Sequence, residues 1–158
     1  MLRNFKSVVV IGGTGTGKTF FIENYLKEII ADVNDLSQLV IVNPSRLFLH
    51  KFKNSPKTIL YLKENLNSKL DEELIPLIEQ RKANLDNKKD NSDRPTLYFF
   101  IDEYALAFEN KQKKADKFFT DLVYNRKELN VVVVLSTQMK QSIPLVIRKT
   151  VDTYIVLQ

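Results

Sequence analysis

The stretch GGTGTGKT at residues 12–19 decides the reading of this chain. Gly12, Gly17, Lys18 and Thr19 satisfy the spacing G-x-x-x-x-G-K-[ST]. The context agrees. SVVVI at Ser7–Ile11 precedes the glycines and reads as a buried strand. Residues 18–31 follow, with Phe21, Tyr25 and Ile29 four apart and Ile22 and Leu26 beside them, so one helix face is apolar. Strand, glycine loop and helix in that order make a phosphate cradle. Gly12, Gly13, Gly15 and Gly17, with Thr14 and Thr16 between them, let the backbone curl so that N–H groups point at phosphate oxygens. The helix N-terminus adds partial positive charge. Lys18 is placed to reach the β- and γ-phosphates, and the Thr19 hydroxyl to ligate Mg²⁺. The alternative is a glycine-rich turn that binds nothing. Strand, loop, Lys-Thr and helix all argue against it.

Working outward, short apolar runs alternate with longer charged segments. QLVIV at Gln38–Val42 ends at Asn43-Pro44. TILYL at 58–62, TLYFFI at 96–101, VVVVL at 131–135 and TYIVL at 153–157 complete the set. These runs are β-branched or aromatic and apolar on both faces, the habit of parallel strands covered on both sides. Two more helices are expected. One spans 70–85, with Pro76 as a kink or break. The other spans 113–129, with Phe118, Leu122 and Leu129 on one stripe and Val123 flanking it. The most loop-like stretch is DNKKDNSDRP at 86–95. Alternating strands and helices predict an α/β fold of right-handed βαβ units in three layers, with a central, mainly parallel sheet. All of 1–158 is expected to be one domain.

Composition excludes several classes. The absence of Cys removes disulfides, thiolate metal sites and Cys nucleophiles, and suits a reducing compartment. A single His, His50, removes a His-based zinc site or catalytic triad. No apolar run approaches the roughly 20 residues of a membrane span, so a cytoplasmic location is the expectation. Net charge is +5, mildly basic and compatible with a nucleic-acid partner.

A Mg²⁺–nucleotide site also needs a carboxylate at the tip of a buried strand. Asp102 follows the apolar run of 96–101 and fits that role. Glu103 comes next, where a carboxylate can polarise water for in-line attack on the γ-phosphate. The alternative is an Asp-Glu pair stabilising a helix N-terminus. The run at 131–135 delivers Ser136, Thr137 and Gln138 at its carboxyl end, where ligands of parallel sheets bind. Gln138 there is a candidate sensor of the γ-phosphate; the alternative is a solvated loop. Arg126 and Arg148 each suit either an arginine finger on a neighbouring subunit's nucleotide or a plain salt bridge. Lys111, Lys113, Lys114 and Lys117 form a basic cluster, read as a nucleic-acid contact or a solvated face. Phe99, Phe100, Phe118 and Phe119 are expected in the core.

GGTGTGKT at 12–19, FFIDE at 99–103, NRKELNVVVVLSTQ at 125–138 and IPLVIRKTVDTYIV at 143–156 together resemble the FtsK–HerA superfamily of P-loop ATPases. The match covers most of the chain in the right order. It implies a RecA/ASCE-like fold. Lys18, Thr19, Asp102, Glu103 and Gln138 take the roles given above. The branches most resembled are the viral genome-packaging ATPases of poxviruses and membrane-containing phages, and the Zot-like assembly ATPases of filamentous phages. The resemblance implies an oligomeric ring, expected to be a hexamer, that uses ATP and Mg²⁺ to move double-stranded DNA. A capsid or assembly protein is a further partner. No DNA-orienting domain and no membrane anchor are visible, which favours the packaging type over Zot-like extrusion or conjugative transfer. Two readings from other classes stand beside it: a small P-loop kinase, for which no Arg-rich lid is visible, and a non-hydrolysing module that ATP merely orders.

Overall fold

Val8, Val9 and Val10 are all buried, as a strand covered on both faces requires. The computed structural model describes residues 5–32, 38–42, 58–61, 66–87, 96–108 and 110–158. Its strands are β1 (Ser7–Ile11), β2 (Gln38–Val42), β3 (Thr58–Tyr61), β4 (Leu97–Ile101), β5 (Val131–Thr137) and β6 (Thr153–Val156). They form one sheet in the order β3-β2-β4-β5-β1-β6, and every pairing is parallel. The expected α/β sheet is therefore present.

Side chains alternate across the sheet. Val8, Val10, Phe100, Val132 and Val134 meet Ile22, Tyr25 and Leu26 of helix α1 (Lys18–Asp32) on one face. Val9, Phe99, Ile101, Val133 and Leu135 meet the remaining helices on the other. Those are α2 (66–86), α3 (Tyr104–Ala107), α4 (Gln112–Tyr124) and α5 (Leu145–Thr150). Phe99, Phe100 and Phe119 are core residues, and Phe118 packs partly buried against them. No helix among the described residues is long and apolar enough to cross a membrane.

Helix α2 differs from the sequence expectation in an instructive way. It does not break at Pro76. Instead Leu70–Leu74 widens into a π-helical turn, and the Ile75 N–H bonds back to the Leu70 carbonyl. Proline lacks an N–H, and its ring crowds the carbonyl four residues earlier; a wider turn just ahead relieves that clash. Residues 125–130 are a turn rather than the end of the helix expected over 113–129. Asn130 there takes a left-handed conformation, φ 51°. The buried Arg81 of α2 braces this turn, donating to the Leu129 carbonyl at 2.9 Å and the Asn130 carbonyl at 3.4 Å. The start of β5 is thereby fixed. His50, Asn43-Pro44, Leu62 and most of the 86–95 loop lie outside the described residues.

Candidate active site

Parallel pairing brings all strand ends to one edge, and strand order decides which ends are neighbours. β5 lies between β1 and β4. The register sets Ile11 opposite Thr137 and Ile101 opposite Leu135. Continuing it by one residue puts Asp102 level with Ser136 and Gly12 level with Gln138. The glycine loop, the acidic pair and the polar tip of β5 thus share one edge.

The loop has the strained conformation its sequence requires. Gly15 (φ 83°) and Gly17 (φ 80°) sit in the left-handed region that favours glycine. Gly12 is buried, and its N–H donates to the Thr137 carbonyl at 3.1 Å. A Cβ there would lie 2.5 Å from Thr16 Oγ1. Thr16 Oγ1 donates to the Gly13 carbonyl at 2.9 Å, which closes the loop on itself.

A cavity of about 590 Å³ opens over this loop. Gly13, Thr14, Gly15, Gly17, Lys18 and Thr19 form one side of it, and Glu103 and Gln138 approach from β4 and β5. Lys18 is almost buried and is ion-paired with Glu103. Glu103 itself adopts a left-handed conformation (φ 47°, ψ 62°), a cost that a non-glycine bears only where the surroundings enforce it. The enforcing contact is Ser136, whose hydroxyl accepts the Glu103 N–H at 3.1 Å and donates to Asp102 Oδ1 at 2.7 Å. One fully buried hydroxyl therefore ties the two acidic residues together. Asp102 is buried, and its N–H donates to the Val42 carbonyl of β2 at 3.0 Å.

Sequence reading took Ser136 as part of a polar tip only. The parallel register is what gives it a task, and register is invisible until the strand order is known. Phe20 and Glu23 also reach the cavity and were not anticipated. Their α-helical spacing from Gly17 and Thr19 was the available signal.

The two arginines lie apart from this cavity. Arg126 is nearly buried and makes the plain salt bridge. Its Nη2 donates to Asp152 Oδ1 at 2.5 Å, its Nε to Oδ2 at 3.3 Å, and its Nη1 to the Val123 carbonyl at 2.6 Å. Asp152 just precedes β6, so this contact sits at the opposite edge of the sheet from the loop. A finger reaching a second nucleotide would have to abandon all three bonds. Arg148 lies on α5, and its buried Nε has no hydrogen-bond partner among the described residues. In the basic cluster, Lys111 and Lys114 both pair with Asp71, whose carboxyl they hold below its ordinary range. Lys113 and Lys117 are exposed. A larger groove of about 750 Å³ runs between α2 and α4, but none of the loop residues lines it.

The donor set fits a magnesium triphosphate. The first turn of α1 leaves N–H groups without helical acceptors, facing the cavity that Lys18 enters. Thr19 offers a hydroxyl and Asp102 a carboxylate. Among the described residues no three His, Asp or Glu side chains gather into a metal cage. One hydroxyl and one carboxylate suit Mg²⁺, which keeps water and takes phosphate oxygens.

A six-stranded parallel sheet with β5 between the loop strand and the acidic strand is a fold shared with several solved ATPases. The chain is similar in structure to EssC (ATPases 2 and 3) from Geobacillus thermodenitrificans, with a TM-score of 0.79 and 14% identity, over 99% of this chain and 32% of that one. It is also similar to B204, the DNA-packaging ATPase from Sulfolobus turreted icosahedral virus (TM-score 0.63, 18% identity, 96% of this chain and 74% of that one). A third is the pCW3 conjugation coupling protein TcpA with ATPγS (TM-score 0.70, 12% identity, 98% and 49%). The chain spans about a third of the length of the EssC chain it matches. No protein-family model and no curated protein matches the sequence.

Proposed function

We propose that this chain is a Mg²⁺-dependent ATPase that works as one subunit of an oligomeric, hexameric DNA-translocating motor, packaging a viral genome. The observation that carries the reading is the meeting of Lys18, Glu103 and Gln138 in one cavity over the glycine loop. Lys18 exchanges Glu103 for phosphate oxygens when ATP enters. Glu103, freed, orients the attacking water, and Gln138 bonds the γ-phosphate or that water. Thr19 and Asp102 hold Mg²⁺, which neutralises phosphate charge when bound. Arg148 is the remaining candidate for a finger supplied to a neighbouring subunit; Arg126 serves the fold instead.

Phe20, Met139 and Val156 are 70%, 64% and 60% exposed around the carboxyl edge, with Leu145 and Val146 exposed on α5. Exposed apolar side chains grouped around a site support a subunit interface there. DNA as the cargo and packaging as the task are favoured by the likeness to B204, and TcpA keeps conjugative transfer as the alternative. The test is ATP turnover against protein concentration, with and without duplex DNA at low salt. Turnover should rise more steeply than protein concentration, and DNA should stimulate it, less so as salt increases. Turnover strictly proportional to concentration and indifferent to DNA would sink the motor.

Ser136→Ala is expected to leave ATP binding intact. Turnover should fall roughly 10- to 100-fold, the scale seen when a partner behind a metal ligand is removed. The Mg²⁺ concentration for half-maximal rate should rise. Titration of the rate with Mg²⁺ checks this, and Ser136→Thr should restore part of the loss.

A further inference from the structure

Tyr104 is fully buried at the start of α3, where packing calls for an aromatic ring but not for a hydroxyl. Its ring meets Phe119 of α4 edge to face, with centroids 5.6 Å apart at 77°. Phenylalanine would fill the same space. A hydroxyl taken out of water is costly unless it is bonded. Here it donates to Asp116 Oδ1 at 2.7 Å, one turn before Phe119 and on the same face of α4. The Gln112 amide braces Asp116, donating to the same oxygen at 2.7 Å. Ring and hydroxyl thus tie Tyr104 to α4 at two points.

The residue before it gives this tie a further consequence. Glu103 and Asn130 are the two non-glycine residues with positive φ among the described residues. The left-handed backbone of Glu103 would relax to an ordinary region if either flanking peptide could turn. The Ser136 hydroxyl holds the peptide before it, by accepting the Glu103 N–H at 3.1 Å. On the other side, the Glu103 carbonyl accepts the Leu106 N–H at 2.8 Å, a bond inside α3 that would turn with that helix. Ala107 and Phe108 bury apolar surface from α3 but offer no directional side-chain bond. The Tyr104 hydroxyl supplies one.

We infer that Tyr104 is a positioning residue for Glu103: its hydroxyl bond to Asp116 fixes the backbone turn that aims the Glu103 carboxylate into the cavity over the glycine loop. The inference rests on the reading of Glu103 as the group that orients water, and adds what keeps it aimed. Ser136 from β5 and Tyr104 through α4 are the two jaws of one clamp. Without the second jaw, α3 can rotate about its apolar contacts and Glu103 can leave the left-handed region. Lys18 and the glycine loop lie outside the clamp, so nucleotide affinity is set independently of it.

The experiment compares Tyr104→Phe in the unsubstituted chain and in Glu103→Gln, with Mg²⁺ present. Tyr104→Phe keeps the ring, so the core stays filled. At saturating ATP its turnover should fall about 10-fold, since a misplacement of about 1 Å can cost up to about 100-fold. KM and the affinity for a slowly hydrolysed analogue should stay within about 2-fold. In Glu103→Gln the aimed carboxylate is gone, so the same substitution should change the residual rate by less than about 2-fold. A fold merely loosened by the lost bond would slow both backgrounds alike. Asp116→Asn keeps an oxygen for the hydroxyl and should lose less than Tyr104→Phe. Unchanged turnover in Tyr104→Phe, an equal loss in both backgrounds, or a larger loss in Asp116→Asn would each overturn the positioning role. Near-normal turnover in Glu103→Gln alone would instead remove the reading on which that role rests.

Discussion

Glu103→Gln is expected to cut ATP turnover about 1,000-fold while ATP binds as tightly as before or a few-fold tighter, a general-base loss within the usual 10²–10⁴ range. The two halves of that result have separate physical causes. Gln keeps the shape of Glu and its bond to Lys18 but has no charge to draw a proton from water. In the unsubstituted protein the carboxylate also holds Lys18 and faces the place where phosphate charge would sit. Both effects oppose a polyanion; Gln removes the charge repulsion and weakens the hold on Lys18 to a neutral hydrogen bond. Lys18→Ala should behave in the opposite way, losing affinity first. Single-turnover rates beside equilibrium binding of a slowly hydrolysed analogue separate the cases. Near-normal turnover in Glu103→Gln would remove this residue from the chemistry.

Asp152→Ala is expected to destabilise the fold by about 3 kcal/mol, at the lower end of the cost of orphaning one partner of a buried ion pair, because this pair is partly open to solvent. For a chain of this size that corresponds to a fall in Tm of roughly 6–12 °C. The carboxylate is a hub. It takes Arg126, the N–H groups of Lys6 and Ser7 at 2.8 Å each, and the Ser7 hydroxyl at 3.2 Å. Among the described residues, Arg126 is then left nearly buried with only the Val123 carbonyl. Arg126→Lys should recover little, since an ammonium cannot reproduce the fork. Burial pushes the Asp152 carboxyl up, but the Arg126 bond and the backbone donors outweigh it and hold it at about 2. A depressed carboxyl stabilises the native state fully above its unfolded value, about 4, and loses that contribution as pH falls toward 2. Denaturant unfolding of wild type and Asp152→Asn should therefore show a gap that is constant at neutral pH and narrows between about pH 4 and pH 2. A gap that stays constant there would mean that the charge contributes nothing.

Much of this could be read before any coordinates. Ser7–Ile11, the glycines and α1 announced themselves by type and spacing, because only a buried strand, a curled loop and an amphipathic helix satisfy those residues at once. Strand positions were legible for the same reason, although β5 runs two residues past its apolar stretch through Ser136 and Thr137. Polar residues end a strand in sequence logic, yet here their side chains are satisfied by Asp102 and by Ser142. The short helices α3 and α5 carried too few turns for periodicity to register. Arg126 looked as suitable for chemistry as for structure. Its fate depended on Asp152, 26 positions away, which no local pattern connects to it.

The position of β5 has a mechanical corollary. β1 is flanked on one side by β5 and on the other by β6, and residues 131–156 run unbroken from one to the other. The strand that ends in the glycine loop is thus held in a yoke made from one length of backbone. Gln138 lies at the tip of one arm, and the chain from it runs through Lys140–Ser142 and α5 into the other arm, at the rim of the sheet.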